Sequence, residues 1–257
     1  MNRQLVILEA AQNRGRVQVD ELAQELGVSA HTIRRDINAL CERSKLRRLH
    51  GGAEFIEATT NLPYGTRQIL NLGAKQAIAR KVAQMIPDGA ALAVSIGTTP
   101  ALVAAALCNH ARLTVITNNL NVAMTLSAEP SNRVIIPGGE MRLPDCDLLG
   151  PKAQEMFAAY RADFGIYGVG GVDDDGSLLD FNEDEVALRQ TIRMSARASI
   201  LVLDHTKFGR HAPALGGHLR DAEHLHMILS VLAAESNVAS VDRRRDPGLA
   251  QTRTAAE

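Results

Sequence analysis

The sequence has few cysteines and no long apolar run. Its three cysteines, Cys41, Cys108 and Cys146, are far apart and form no C-x-x-C pair, which argues against a disulfide framework. No stretch approaches the roughly 18 apolar residues that a membrane-spanning helix needs, and the N-terminal segment lacks the apolar centre of a signal peptide. These absences predict a cytoplasmic protein with reduced thiols and no membrane partner.

Signatures of several enzyme and metal sites are also missing. There is no G-x-S-x-G elbow of a serine hydrolase and no Walker loop for a nucleotide phosphate. His224 and His226 are separated by one residue and lack a third ligand at a suitable spacing, so we interpret them as surface residues. We therefore expect no metal and no cofactor.

The charge is nearly balanced overall but uneven along the chain. The formal net charge is −1 over 257 residues, whereas residues 1–56 hold nine Lys/Arg and seven Asp/Glu and so sum to +2. Four of these basic residues fall in the segment RSKLRRLH at 43–50, which has no acidic residue. The N-terminal part thus contains a local basic patch, which suits an anionic partner.

A segment near the N-terminus has the pattern of two short helices joined by a turn. Gly27 suits the end of the first helix because it tolerates a positive φ, and Ser29 can cap the second. On the second helix Ile33, Ile37 and Leu40 recur on one face and predict its buried side. The side chains that we assign to the outer face and its edges are Ser29, His31, Thr32, Arg34, Arg35 and Asn38.

This pattern is typical of a helix-turn-helix that binds DNA. A helix fits the major groove, and an arginine can form two hydrogen bonds with guanine. We therefore predict that Arg35 and Thr32 contact bases and that Arg34 contacts phosphates. A charged helix face can also be no more than a solvated surface, and for this helix taken alone that alternative stays open.

The residues after this helix have the pattern of a basic wing. Leu46 and Leu49 alternate with basic side chains before a turn at Gly51-Gly52. Such an alternation suits a short β-hairpin whose cations contact DNA phosphates. We place a winged helix-turn-helix domain over residues 1–56. The predicted contacts of its wing are Lys45, Arg47, Arg48 and His50.

The rest of the chain alternates short apolar runs with helical patterns. Strands that are apolar on both faces, with helices between them, predict a mostly parallel sheet. We therefore predict an α/β effector domain over residues 75–232, an irregular linker over 57–74 and a disordered tail over 233–257. The apolar runs lie at residues 90–95, 113–117, 133–137, 162–169 and 199–203.

Polar clusters follow the predicted strands, where parallel α/β sheets bind their ligands. In the first cluster, Gly97-Thr98-Thr99-Pro100, we predict Thr99 as the helix cap and Pro100 as the first helical residue. Free N–H groups and two hydroxyls at a helix N-terminus can hold a phosphate. The other clusters are Asn118-Asn119, Gly138-Gly139, Glu183 with Glu185, and Asp204 with Lys207.

Several of these clusters also have purely structural interpretations. The asparagines can cap a helix, the glycines can form a turn, and the glutamates can pair with the positive end of a helix dipole. Spacing alone does not decide between a ligand site and these roles.

Two groups of motifs resemble the DeoR family of bacterial transcriptional repressors. The N-terminal group is V-S-x-x-T-I-R-R-D-I at residues 28–37 and H-G-G at residues 50–52. The C-terminal group includes IGTTP, VITNNLNVA, GGEMR, DFGIYGVGGVDDDGSLLDF and DHTKFGRHA. The resemblance implies an effector domain related in fold to ribose-5-phosphate isomerase. It also implies that this domain senses a phosphorylated sugar or polyol, with glycerol 3-phosphate as the first candidate.

The resemblance also implies partners and roles for single residues. Operator DNA is the expected partner of the N-terminal domain. Gly97, Thr98 and Thr99 are expected to hold the phosphate of the effector with help from Lys207. Because a single small domain binds DNA weakly, we also expect a homodimer or homotetramer. Hydroxyl contacts are implied for Asn118, Asn119, Asp204 and an acid among Glu183 and Glu185.

The alternative is an isomerase-like enzyme with an appended DNA-binding domain. In the isomerases, the loop after the strand that corresponds to DFGIYG carries acidic residues, whereas this sequence has Val169-Gly170-Gly171 there. Proton transfer needs a positioned carboxylate. The sequence therefore favours sensing over catalysis. It contains no feature that separates a repressor from an activator.

Overall fold

The computed structural model describes residues 3–42, 45–55, 61–143 and 145–221. The predicted tail over 233–257, the end of the predicted effector domain over 222–232 and the histidine pair at 224 and 226 lie outside these residues. Within the described residues, no helix is long and apolar enough to cross a membrane.

Three helices and a small sheet surround the N-terminal hydrophobic core. The antiparallel sheet has the order β1-β3-β2, as defined below. Ile33 and Ile37 are fully buried in the same cluster as Ile7 and Leu22. This arrangement confirms the predicted winged helix-turn-helix. Its elements are α1 (Arg3–Arg14), β1 (Arg16–Gln18), α2 (Val19–Glu25), α3 (Ala30–Glu42), β2 (Leu46–Leu49) and β3 (Gly52–Phe55).

The turn between α2 and α3 has the chemistry that the sequence predicts. Gly27 has a φ of +63°, a value that a side chain disfavours. The Ser29 hydroxyl accepts a hydrogen bond from the Thr32 N–H at 3.2 Å and so caps α3. Contacts between near neighbours in the chain therefore set this turn.

The wing differs from the predicted hairpin because β1 adds a third strand. Gly51 turns the chain with a φ of +75°. A Cβ on Gly52 would lie 2.1 Å from the Val17 carbonyl oxygen of β1. Only glycine allows the backbones of β1 and β3 to approach this closely, which gives the H-G-G motif a physical reason.

The second domain continues the alternation of helices and strands. Its elements are α4 (Tyr64–Ile69), α5 (Leu72–Ala83), β4 (Ala91–Val94), α6 (Thr98–Ala106), β5 (Thr114–Thr117), α7 (Leu120–Leu126), β6 (Arg133–Ile135), α8 (Pro151–Ala158), β7 (Ala162–Tyr167), β8 (Gly171–Val172), β9 (Ser177–Asp180), α9 (Glu183–Ser195), β10 (Ala196–Leu201) and β11 (Ala214–His218).

The central sheet of this domain is parallel, in the order β10-β7-β4-β5-β6. Leu92, Val115 and Ile166, on three adjacent strands, are fully buried. The α/β prediction is thus confirmed. In a parallel sheet the carboxyl ends of the strands share one edge, so the loops after β4, β7 and β10 come together there.

The prediction of an irregular linker over residues 57–74 is wrong in its second half. Residues 64–69 form α4, which packs against α6, and α5 already begins at residue 72. A helix of six residues is too short to show a periodic pattern or to be stable alone. Its tertiary contacts stabilise it, among them the ion pair between Arg67 and Asp145.

A small antiparallel sheet with the order β11-β9-β8 is not predicted by the sequence. Residues 173–176 form a turn between β8 and β9, with Gly176 at a φ of +90°. These strands have two to five residues. Strands this short depend on their pairing partners for stability.

Candidate DNA-binding face and effector site

The outer face of α3 carries the side chains that the sequence assigns to DNA. His31, Arg34, Arg35 and Asn38 are all exposed along this helix. His50, at the turn of the wing, is exposed as well. The face therefore presents cations and hydrogen-bonding groups to solvent, as a helix that enters the major groove must.

Other polar side chains of α3 support the domain. The hydroxyls of Ser29 and Thr32 are hydrogen-bonded to each other at 2.9 Å. Asp36 is buried and accepts a hydrogen bond from Arg3 Nε at 2.5 Å, with Gln4 Nε2 at 3.5 Å. The aspartate of the R-R-D motif thus joins α3 to α1 and leaves the two arginines to the outer face.

The two wing arginines have different surroundings. Arg48 is exposed and donates to Asn38 Oδ1, which links the wing to α3. Arg47 is half-buried and forms an ion pair with Glu54, which also pairs with Arg16 at 3.0 Å. Both arginines, Arg16 first, hold the pKa of the Glu54 carboxyl below its usual value. Arg47 thus has a partner within its own domain, and its contact with DNA phosphates stays a prediction.

In the effector domain, Gly97 and not Thr99 caps α6. Gly97 has a φ of +113°, and the helix begins at Thr98. Pro100 therefore occupies the third helical position, and the predicted cap is wrong. Thr98 and Thr99 are buried in the first turn. Because the first N–H groups of a helix have no partner within it, this end of α6 still presents donors beyond the carboxyl end of β4.

Lys75 of α5 is a buried cation beside this helix end that the sequence analysis missed. Its Nζ donates to the Arg67 carbonyl oxygen at 2.5 Å and to Thr98 Oγ1 at 3.2 Å. Burial lowers the pKa of Lys75 to about 8, against the opposing effect of Asp204 and with help from Arg67 and Arg210. An ammonium group in such a place favours an anion as its neighbour.

Asp204 and Lys207 lie on the short turn after β10. The buried Asp204 carboxylate accepts hydrogen bonds from the Thr206 N–H at 3.0 Å and from Asn71 Nδ2 at 3.3 Å. Burial, followed by the nearby Arg210, lowers the pKa of Lys207 to about 7. The structure therefore brings Lys207 close to Lys75 and makes Asp204 a support of the turn.

These side chains line two adjoining clefts at the carboxyl edge of the sheet. The clefts have volumes of about 60 and 260 Å³ and share Arg67, Thr98 and Lys207. Both are smaller than the roughly 300–1,000 Å³ of pockets that enclose drug-sized ligands, so they suit a small metabolite. The smaller cleft is also lined by Gly97, Thr99, Arg142, Asp145, Asp147, Asp180 and Glu185. The larger cleft is also lined by Lys45, Asn71, Lys75, Asp204 and Arg210.

An ion-pair network closes one side of the smaller cleft. Arg142 donates to Asp147 through Nε and Nη2, at 2.9 and 2.8 Å, and to Glu185 through Nη1 at 2.7 Å. Burial raises the pKa of Glu185 against the effect of Arg142. The sequence analysis missed Arg142, although it lies in the quoted GGEMR stretch, because its partner Glu185 is 43 positions away.

The smaller cleft contains carboxylates, although the Val169-Gly170-Gly171 loop has none. The lack of acidic residues in that loop is therefore not enough to argue against an enzyme. The Asp180 carboxylate accepts a hydrogen bond from the Gly170 N–H at 2.6 Å and pairs with Arg189 at 3.0 Å. Burial raises the pKa of Asp180, and Arg189 opposes this effect. Like Asp147 and Glu185, Asp180 is engaged by a guanidinium group.

Gly171 fixes the segment that carries Lys207. A Cβ on Gly171 would lie 2.0 Å from the Arg210 carbonyl oxygen. The Gly209 N–H donates to the Val172 carbonyl oxygen at 2.9 Å. Close backbone contact at the G-V-G-G motif therefore holds residues 207–210 against the clefts.

Some predicted effector residues are not among those that line the two clefts. Asn118 is fully buried and donates to a backbone carbonyl at 2.8 Å. Asn119 is also buried and caps α7, because its side-chain oxygen accepts hydrogen bonds from the first N–H groups of that helix. The others are exposed, and as ligands of an effector all of them stay predictions. They are Gly138, Gly139 and Glu183.

Comparisons with protein families match both parts of the chain. Residues 3–59 match the DeoR-like helix-turn-helix domain, and residues 70–227 match the DeoR C terminal sensor domain. The chain belongs to the DeoR family. The resemblance noted in the sequence motifs is thereby confirmed.

Curated members of the DeoR family are similar over most of their length. The chain is 44% identical over 206 residues to the glycerol-3-phosphate regulon repressor of Escherichia coli (strain K12), covering 80% of this chain and 82% of the relative. It is 41% identical over 219 residues to the repressor of the same name from Haemophilus influenzae, covering 85% and 86%. Both relatives are repressors of the glycerol-3-phosphate regulon.

Among solved structures, the chain is similar to ribose 5-phosphate isomerase A from Methanocaldococcus jannaschii. The TM-score is 0.40 and the identity 16%, over 55% of this chain and 56% of that one.

Proposed function

We propose that this DeoR-family protein is a DNA-binding transcriptional repressor whose operator affinity is controlled by a phosphorylated polyol or sugar, with glycerol 3-phosphate as the first candidate. The observation that carries this proposal is the cation-lined cleft at the N-terminus of α6, in a chain that also presents the exposed face of α3. The names of the curated relatives support the same effector.

We assign the phosphate to the point where N–H groups, hydroxyls and ammonium groups converge. The start of α6 offers backbone donors, and Thr98 and Thr99 offer hydroxyls. Lys75 and Lys207 supply the positive charge. The polyol hydroxyls then face Glu185 and Arg142 in the smaller cleft, whose polar atoms can accept and donate hydrogen bonds. Cleft volumes of about 60 and 260 Å³ favour an effector of few carbons.

Binding is proposed to be the role of this cleft rather than catalysis. A general base needs a carboxylate that can take a proton from the substrate. Asp147 and Glu185 already accept hydrogen bonds from Arg142, and Asp180 accepts from Gly170 and Arg189. If the protein were an isomerase, ribose 5-phosphate would be turned over and Glu185→Gln would abolish the turnover. We expect no turnover of ribose 5-phosphate by the wild-type protein or by Glu185→Gln.

Control of transcription requires that the effector prefer one conformation of the repressor. We propose that effector binding favours a conformation with lower operator affinity, in a cytoplasmic homodimer or homotetramer that reads repeated half-sites. Sedimentation of the full-length protein tests the oligomeric state.

Fluorescence anisotropy tests the central proposal. Labelled DNA from upstream of the protein's own gene and its neighbours is titrated with full-length protein at one fixed salt concentration, with and without millimolar glycerol 3-phosphate. We expect sequence-specific binding that weakens with the effector. If specific binding were unaffected by glycerol 3-phosphate but weakened by another sugar phosphate, only the proposed identity of the effector would be wrong. DNA binding without sequence preference would contradict the proposal that the protein is a transcriptional repressor.

A further inference from the structure

Lys45 belongs to the DNA-binding domain but lines the larger effector cleft. It stands between α3 and β2, and its side chain is exposed. Its backbone N–H donates to the Leu40 carbonyl oxygen at 2.9 Å, which holds it to the last turns of α3. A displacement of the Lys45 backbone is therefore a displacement of the corner that joins the recognition helix to the wing.

The segment that connects the two domains also forms part of the cleft wall. Leu62, Arg67 and Asn71 line the larger cleft. The Arg67 carbonyl oxygen accepts the hydrogen bond from buried Lys75, and the Arg67 side chain donates to the Leu62 carbonyl oxygen and pairs with Asp145. An anion that bonds to Lys75 would thus share that ammonium group with the backbone of the connector.

The electrostatic force on Lys45 in this cleft depends on whether an anion is bound. The cations lining the cleft include Arg67, Lys75, Lys207 and Arg210, and among the described lining residues the acid is Asp204. Without an anion, these like charges repel Lys45. A bound phosphate dianion changes the sign of that interaction, because it attracts Lys45 and the cleft cations alike.

We propose that the anionic group of the effector is bound between the two domains, with Lys45 of the DNA-binding domain as one of its ligands. This inference rests on the proposed function and adds a residue and a route of regulation to it. Effector binding draws the corner between α3 and β2 toward the sensor cleft. Arg48, on the strand that follows, moves with that corner. The two conformations then differ in a direct contact with the ligand, as a population shift requires.

The test compares full-length wild-type protein with Lys45→Gln and with the matched control Lys81→Gln. Lys81 is an exposed lysine of α5 that is not among the residues lining either cleft. Isothermal titration of the DNA-free proteins uses two probes, glycerol 3-phosphate and inorganic phosphate. Anisotropy with operator DNA, without effector and at fixed salt, measures DNA affinity separately.

We expect Lys45→Gln to weaken probe binding about tenfold, the loss of one charge-assisted hydrogen bond, and to raise the effector concentration needed for DNA release. Operator affinity without effector is measured for both variants, and DNA release is compared at equal DNA occupancy, because the sequence also predicts a DNA contact for Lys45. Equal probe binding by Lys45→Gln and Lys81→Gln overturns the inference.

A second result also overturns it. Lys45→Gln would then lower operator affinity and its salt dependence while leaving probe binding unchanged, which would make Lys45 a DNA contact as the sequence predicts. Failure of the proposed function is distinct from both results, because in that case the wild-type protein itself binds neither probe and releases no DNA.

Discussion

The outer face of α3 and the effector cleft both collect positive charge, but their cations differ in exposure to water. Arg34 and Arg35 are exposed and keep their hydration until DNA displaces it. Lys75 is buried, and the pKa values of Lys75 and Lys207 fall to about 8 and 7 because burial penalises their charge. Exposed cations attract any polyanion and are screened by salt. Buried cations favour a small anion that replaces the lost water, so solvation separates the two binding functions.

The largest expected effects come from two glycines, because each change should remove one function and leave the other. Gly52→Ala places a Cβ against Val17 and should disrupt the wing, with loss of operator binding, whereas effector binding should fall no further than it does in Lys45→Gln. Gly171→Ala places a Cβ against Arg210 and should abolish effector binding while operator binding is retained. Each overlap is expected to cost about 1–3 kcal/mol or more. Calorimetric unfolding and the two binding assays measure these effects.

The control for both glycines is Gly73→Ala, where an added Cβ meets nothing within 4 Å. This variant should retain both functions. Loss of both functions in Gly52→Ala or in Gly171→Ala would contradict the separation of the two regions.

Lys207→Gln should have the next largest effect. It removes a cation that lines both clefts, so the effector concentration for half-maximal DNA release should rise on the order of 100-fold, the equivalent of a lost hydrogen bond to a charged group. Operator affinity without effector should not change. If Lys207→Gln released DNA at the wild-type effector concentration, the phosphate would have to bind elsewhere.

Substitutions of Arg35 and Arg48 on the DNA-binding face should change DNA affinity in different ways. Arg35→Ala should cost about 1–3 kcal/mol on the operator and relax its sequence preference, because a base contact is lost. Arg48→Ala should weaken all sequences alike and reduce the salt slope by about one. Anisotropy on specific and scrambled DNA at several salt concentrations separates these outcomes. An equal loss of specificity in both variants would contradict the assignment.

The smallest expected effect is that of pH on the effector site. Lys207 and Lys75, with pKa values of about 7 and 8, must be protonated to attract phosphate. Bound phosphate favours the protonated forms and raises these pKa values, so effector affinity should fall as pH rises through 7 to 8, by about tenfold per unit at most for each lysine. Calorimetric titration from pH 6.5 to 9 measures this fall. A constant affinity would mean that the lysines stay charged without ligand.

Operator binding provides the contrast in the same pH range. The DNA-binding face relies on arginines, and guanidinium groups do not lose a proton in proteins. The attraction of these arginines for DNA phosphates should therefore persist where effector affinity falls. A parallel loss of both activities would point to unfolding and not to titration of the cleft.

The sequence predicts the α/β class and the winged helix-turn-helix better than it predicts the smaller elements. The apolar runs around Leu92, Val115 and Ile166 form adjacent strands of one parallel sheet. The short strands β1, β8, β9 and β11 and the helix α4 escape prediction. Each has too few residues for a periodic pattern and is stabilised by partners that are distant in the chain.

The sequence predicts some residues of the candidate effector site and fails to predict others. Gly97, Thr98 and Thr99 follow a strand directly, so the rule for ligands at strand ends finds them. Asn118 and Asn119 satisfy the same rule, yet the structure buries them in backbone hydrogen bonds. A polar residue after a strand serves either a ligand or a cap, and only its three-dimensional neighbours distinguish the two roles.

By itself, the sequence determined the recognition helix of this protein. The cap at Ser29, the apolar stripe with Ile33 and the outward Arg35 all lie within one helical segment, where a repeat of 3.6 residues relates position to face. Only the tertiary structure decided which side chains form the candidate effector site. Its cations at positions 67, 75, 207 and 210 come from segments far apart in the chain. Their function depends on burial and mutual repulsion, and both arise only when folding brings them together.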